Sequence, residues 1–275
     1  MLSPGIQFMV ISVLLITAMQ LLVKALPGIP VSEIILFRSV ISFAFCLLIL
    51  WKNNISLRGK KPSLLFLRGV FGAASLLTFF YTIHHIPLAS AVTISYLSPF
   101  VIVFLAHIFL GERWKKVQWL FFLISFAGVF LIKGFDSRIS GLDLAVALSA
   151  AIFSGLAHFT VRVIRNDNNP WLIIFYFTLI CIPIVLPFAI WHWVVPTFYE
   201  MLILLGVSIL SHFGQYFLTK AYREEEASKI SIIYYLGIIL SVAGGFFFYH
   251  EAFNIYVWIG FMLIFSGVFF SLKFK

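Results

Sequence analysis

The chain has 275 residues, 62% of them hydrophobic and 11% charged, with a formal net charge of +9. A water-soluble protein of this length could not cover so much apolar surface, so lipid must solvate it, and no stretch is polar enough for a soluble domain. The basic run Lys52–Arg68 could bind nucleic acid, but the way basic residues are distributed reads more simply as an orientation signal, so no nucleic-acid partner is expected.

A membrane span needs about 20 mostly apolar residues. Ten such segments are predicted, near 5–24, 32–51, 64–83, 88–110, 115–133, 141–163, 171–190, 199–220, 229–249 and 254–272. The opening Met1-Leu2-Ser3-Pro4-Gly5 has no basic residue and makes a poor signal peptide, so span one is expected to stay in the mature protein. Pro30 and Pro170 fall at the starts of spans two and seven, where a missing N–H costs nothing.

Span one carries Thr17, Gln20 and Lys24 at helical spacing, and span two carries Arg38 one to two turns from its start. Lys24 and Arg38 either snorkel to the interface or serve a solute or gate. Span four holds Thr93, Tyr96 and Ser98, then Pro99, whose missing N–H loosens the helix and suits a kink or a moving gate. Span six repeats the pattern of span one with Ser154, His158 and Arg162. The clearest stripe is in span eight, where Ser208, Ser211, His212, Gln215, Tyr216 and Thr219 share one face. Lipid would not tolerate that face, so it lines a wet cavity or, in the plainer reading, a hydrogen-bonded helix seam. Tyr234 and Tyr235 in span nine lie several residues inside the span, as Tyr96 does in span four. Cys46 and Cys181 are far apart within spans and suggest no redox or metal site.

The basic residues are strongly one-sided. Lys52, Arg58, Lys60, Lys61, Arg68, Arg113, Lys115, Lys116, Arg162, Arg165, Lys220, Arg223, Lys229, Lys273 and Lys275 fall on one side, against Lys24, Arg38, Lys133 and Arg138 on the other. The positive-inside rule then puts both termini in the cytoplasm of a multi-pass plasma (inner) membrane protein.

An offset of 139 positions aligns Glu112, Trp119, Phe122, Phe126, Gly128, Val129 and Phe130 with Glu251, Trp258, Phe261, Phe265, Gly267, Val268 and Phe269, and Tyr96 with Tyr235. The chain is thus expected to be a duplication, with five-helix repeats at 1–135 and 136–275. Five is odd, so the second repeat enters the bilayer inverted, the design of many secondary transporters. Glu112 and Glu251 each precede a span, where a carboxylate complements the helix N-terminus, and that reading is preferred to transport chemistry. Gly128 and Gly267 are expected to allow close helix packing.

These features resemble the EamA-type branch of the drug/metabolite transporter superfamily. The first-repeat matches are Arg68-Gly69-Val70-Phe71-Gly72, Ile86-Pro87-Leu88-Ala89-Ser90-Ala91, Leu97-Ser98-Pro99-Phe100 and Leu110-Gly111-Glu112-Arg113. The second repeat has weaker counterparts in Glu226-Ala227-Ser228, Leu236-Gly237-Ile238 and His250-Glu251, and lacks an equivalent of Pro99. The resemblance implies a cavity lined mainly by spans 1, 3, 4, 6, 8 and 9, spans 5 and 10 as support, and transport of small organic metabolites or drugs. Related small multidrug transporters use a glutamate in span one. Here that span has Gln20 and no carboxylate, so their proton mechanism does not carry over. His158 and His212 are the groups that could titrate near neutral pH.

The expected fold is therefore an all-α polytopic membrane protein of ten transmembrane helices in two inverted five-helix repeats. The expected function is a secondary transporter, an exporter or exchanger of a small organic metabolite working by alternating access. The alternative is a channel or a membrane-embedded subunit of a larger complex. No nucleophile constellation, metal cluster or ATP motif suggests an enzyme, a metal site or a cofactor. Expected partners are a small-molecule solute and the lipid bilayer, with a homodimer left open. Candidate solute-binding residues are Gln20, Thr93, Tyr96, His158, Ser211, His212, Gln215, Tyr234 and Tyr235. Candidate gating or charge residues are Lys24, Arg38, Pro99 and Arg162.

Overall fold

The computed structural model describes residues 3–111, 116–224 and 236–273. Among them every regular element is helical: α1 Pro4–Lys24, α2 Val31–Lys52, α3 Pro62–His85, α4 Leu88–Ser95, α5 Ser98–Leu110, α6 Lys116–Phe135, α7 Gly141–Ile164, α8 Pro170–Trp191, α9 Phe198–Glu224, α10 Leu236–Tyr249 and α11 Ile255–Lys273. Among the described residues, seven segments are long and apolar enough to cross a membrane: α1, α2, α3, the α4–α5 stretch, α7, α8 and α9. Trp119–Ile132, Leu236–Tyr249 and Ile255–Gly267 are shorter apolar stretches.

The helix starts follow from local chemistry. Ser3 accepts from the Ile6 N–H ahead of Pro4, and Asn169 accepts from the Trp171 N–H ahead of Pro170. Ser140 and Asp143 cap α7 reciprocally: Asp143 N–H donates to Ser140 Oγ and Ser140 N–H to the Asp143 carboxylate, both at 3.1 Å. The α4–α5 stretch is a broken rod. The chain leaves the helix at Tyr96 and Leu97 and restarts at Ser98, with Pro99 in the first turn of α5. Pro99 has no N–H to give the Ser95 carbonyl, so the break falls where continuation is least supported.

The helices pair reciprocally. α1 packs on α9, α3 on α7, α2 on α8 and α6 on α11. On the last pair, a methyl group at Gly128 would stand 2.6 Å from the Gly260 carbonyl, and one at Gly267 would stand 2.6 Å from that of Phe121. Only glycine permits backbones to approach so closely there. Large apolar side chains such as Leu48, Phe130 and Phe247 point outward. With no water-soluble face of that composition to be expected, these are the lipid-facing side chains of a multi-pass membrane protein.

Candidate solute-binding site

A cavity of about 90 Å³ lies where α1, α2, α3, α4, α7, α8 and α9 converge. Larger crevices of about 650 and 500 Å³ lie against α10–α11 and α5–α6–α7, but their walls are almost wholly apolar and include exposed Phe246, Met262 and Ile152. Such crevices suit acyl chains. Of these three, the central cavity carries the polar chemistry.

Two buried arginines dominate it. Arg38 of α2 is 2% exposed and Arg68 of α3 is 6% exposed. Both guanidiniums lie over the ring of Phe177 on α8, with Cζ 5.5 Å and 4.3 Å from its centre. Arg38 Nε donates to Ser211 Oγ on α9. Arg38 Nη1 and Arg68 Nε are buried without a hydrogen-bond partner. Gly72 lies one turn on from Arg68, and a Cβ there would collide with that guanidinium and with the Phe177 ring. The glycine is what leaves room for the arginine.

Around this pair stand Gln20, whose buried Oε1 has no partner, Gln215, Ser95, Tyr96, Ser154 and His158. His158 Nδ1 donates to the Ser154 carbonyl at 2.8 Å, which leaves Nε2 as the acceptor nitrogen of the neutral ring. Tyr96 packs over Gly237 of α10, where any side chain would displace its hydroxyl. No carboxylate lines the cavity among the described residues.

Several expectations change. Arg38 does not snorkel to an interface, because it is buried against Ser211 and Phe177 rather than paired with Glu33, which accepts from the Val194 N–H instead. Arg68, the last residue of the basic run Lys52–Arg68, lies six residues inside α3 and faces the cavity. The available signal was its place about one turn inside the span expected at 64–83. The α9 stripe divides. Gln215 faces the cavity and Ser211 holds Arg38, whereas His212 lies in the seam with α2 and α8. There His212 Nδ1 is 2.7 Å from Ser42 Oγ, and the ring stacks on Phe45 and Trp171. Tyr216 stacks on Trp171 at 3.9 Å. Thr93 is fully buried, bonds back to the Ala89 carbonyl and is not part of the lining. Arg162, in the last turn of α7, is not part of the lining. Tyr234, Tyr235 and Glu112 lie outside the described residues. α2 and α8 contribute to the lining, beyond the six spans the resemblance implied.

The two ends of the bundle are tied differently. At one end Lys24 Nζ meets Glu251 Oε1 at 2.5 Å and also donates to the Ile86 carbonyl at 3.0 Å. Glu251 Oε1 accepts the Leu88 N–H at 2.8 Å. Glu251 thus does complement a helix start, but that of α4, not the helix that follows it. Beside it Arg138 grips Asp136 and donates to the Ala252 carbonyl, and the Asp136 hydrogen bond pushes the arginine pKa up. At the other end Lys61 pairs with Asp167 at 2.8 Å, which holds that carboxyl below its usual range. Lys60 N–H donates to Asn168 Oδ1, and Asn168 Nδ2 donates back to the Lys60 carbonyl.

The EamA-like transporter family matches residues 3–134 and again residues 142–273. The chain belongs to that family. It is 31% identical over 254 residues to the pseudopaline exporter CntI of Pseudomonas aeruginosa, covering 91% of this chain and 89% of that protein. It is 28% identical to solute carrier family 35 member G1 of Mus musculus, over 86% and 69% of the two chains. It is also 28% identical to a riboflavin transporter of Rhizobium johnstonii, over 68% and 63%. A solved crystal structure with 18% identity superposes with a TM-score of 0.70 over 96% of this chain and 94% of its own, a likeness of fold. The EamA family and these named relatives are transporters, not enzymes.

Proposed function

We propose that this EamA-family chain is a ten-span secondary transporter, an exporter or exchanger of a small organic solute, which binds in the central cavity between repeats 1–135 and 136–275. The observation that carries the reading is the buried polar cavity itself, built by α1–α4 from the first half and α7–α9 from the second. An inverted relation between the halves is supported by the reciprocal pairing of α1 with α9 and α3 with α7, in which the first and third spans of one half meet the third and first of the other.

The Lys61–Asp167 end belongs in the cytoplasm on the positive-inside rule, with both termini, and the Lys24–Glu251 end faces outward across the plasma membrane. Small-molecule sites usually span about 300–1,000 Å³. A cavity of about 90 Å³ is a contracted state, so solute entry requires the halves to rock apart. Gln20, Tyr96, His158 and Gln215 contact the solute, Arg38 carries charge in the same cavity, and Ser211 holds Arg38 in position. Of the two histidines, His158 is the one placed to exchange protons with the cavity. The test is counterflow in liposomes. Trans-stimulated, saturable uptake of a solute that stabilises the purified protein supports the reading, whereas non-saturating conductance would favour a channel.

A further inference from the structure

We propose that Arg38 and Arg68 form an oxyanion site, and that the solute is an organic anion whose acidic group sits between the two guanidiniums; this rests on the transporter reading above. Neither arginine is ion-paired with a carboxylate among the described residues, whereas Lys24, Lys61 and Arg138 are. Both are more than nine-tenths buried, and each has an N–H with no acceptor. An arginine does not shed its proton in a protein, so burial cannot be relieved by neutralisation. Two unpaired like charges beside one aromatic ring are unfavourable unless an anion joins them.

The chemistry of that anion follows from the donors. A guanidinium offers a planar fork that matches the oxygens of a carboxylate or phosphate. Two forks with no carboxylate in the lining suit a dianion better than a monoanion. The amides of Gln20 and Gln215 in the lining can supply further N–H donors. The rest of the lining includes the apolar side chains of Leu76, Phe79, Phe80 and Leu218, which suit a carbon skeleton rather than an inorganic ion. At about 90 Å³ the contracted cavity holds the acidic head only, and the rest of the solute enters as the site opens.

The test is thermal unfolding of the full-length protein in detergent with acetate, succinate, tricarballylate, glycerol phosphate, inorganic phosphate and the neutral succinamide. Succinate, tricarballylate or glycerol phosphate should raise the Tm, with acetate weaker and succinamide inert. The carboxylates set against glycerol phosphate separate the two oxyanion classes. In Arg68→Gln the affinity for the active anion should fall at least about 30-fold, and Arg68→Lys should recover part of it. The unliganded Tm of Arg68→Gln should hold or rise, because a buried unpaired charge has gone. An arginine with a merely structural role would lower it. The proposal is overturned if succinamide stabilises as well as the anions, if no anion stabilises, or if the arginine variants respond like wild type. Counterflow of a neutral solute in that case would leave the transporter reading standing, while its absence for every solute would remove both.

Discussion

Gln215 and His212 are three residues apart on α9, and the helix aims them at different neighbours. A stripe at spacings of three and four covers roughly a third of the helix circumference. That is wide enough for Gln215 to reach the cavity while His212 and Tyr216 fill the seam with α2 and α8. Spacing alone identifies a face that avoids lipid. It does not divide that face between a seam and a cavity, because the division depends on which helices flank it. Gln215→Ala should weaken binding of an identified solute about 3- to 10-fold, the value of one neutral hydrogen bond, with little change in Tm. His212→Ala should do the reverse, costing about 1–3 kcal/mol of stability through the lost packing and the lost Ser42 contact while leaving Kd unchanged. Titration calorimetry and thermal unfolding of both variants check the pair. Equal losses of affinity would return His212 to the cavity. Gly72→Ala makes a third case, since even a methyl group displaces Arg68. Affinity for any solute held by that arginine should drop about tenfold or more in a protein that still inserts and folds.

The element scale was the most legible in the chain. Hydropathy and proline positions put the ends of α1, α2, α3, α7, α8 and α9 within a few residues of where they lie, because a span's length is dictated by bilayer thickness and its start by caps and proline. The α4–α5 break was only half legible. Pro99 marked a weak point, but Tyr96, where the chain leaves the helix, packs over Gly237, a contact between distant parts of the chain that the sequence does not display. Proline inside a helix is about 3 kcal/mol less favourable than alanine. Pro99→Ala restores the N–H opposite the Ser95 carbonyl and should favour one continuous helix. If the break is a hinge, counterflow should slow several-fold while solute Kd changes little. Unchanged rates would make the break a static feature of the lining. The Lys61–Asp167 contact, at the end proposed to be cytoplasmic, belongs to the same scale. The depressed carboxyl pKa of Asp167 means that its contribution is present above the unfolded-state pKa and is lost as pH falls through the folded one. Being exposed, the pair is screened by salt, and Asp167→Asn should alter Tm only slightly at neutral pH.

For the whole molecule, the proposed alternating access requires that one end be held shut by contacts that can break. Lys24 and Glu251 meet that description: their side chains are 17% and 6% exposed, and they join α1 to the segment between α10 and α11. The same carboxylate oxygen takes the first N–H of α4, so three distant parts of the chain close around one group. Replacing one member of a buried pair strands the other and typically costs about 3–5 kcal/mol, whereas replacing both by apolar groups can be close to neutral. Glu251→Gln should therefore loosen this end, proposed above to face outward, and Lys24→Met combined with Glu251→Met should restore closure without charge. Exposure of Gln20→Cys to a membrane-impermeant thiol reagent added outside would report this. The native Cys46 and Cys181 are buried and should remain silent. Wild-type closure predicts slow labelling at position 20, faster labelling by about an order of magnitude with Glu251→Gln, and slow labelling again in the double methionine variant. If Glu251→Gln labels no faster than the parent, the Lys24–Glu251 contact is a static brace, and the outer closure must be sought among the Tyr249, His84 and Arg138 contacts that surround it.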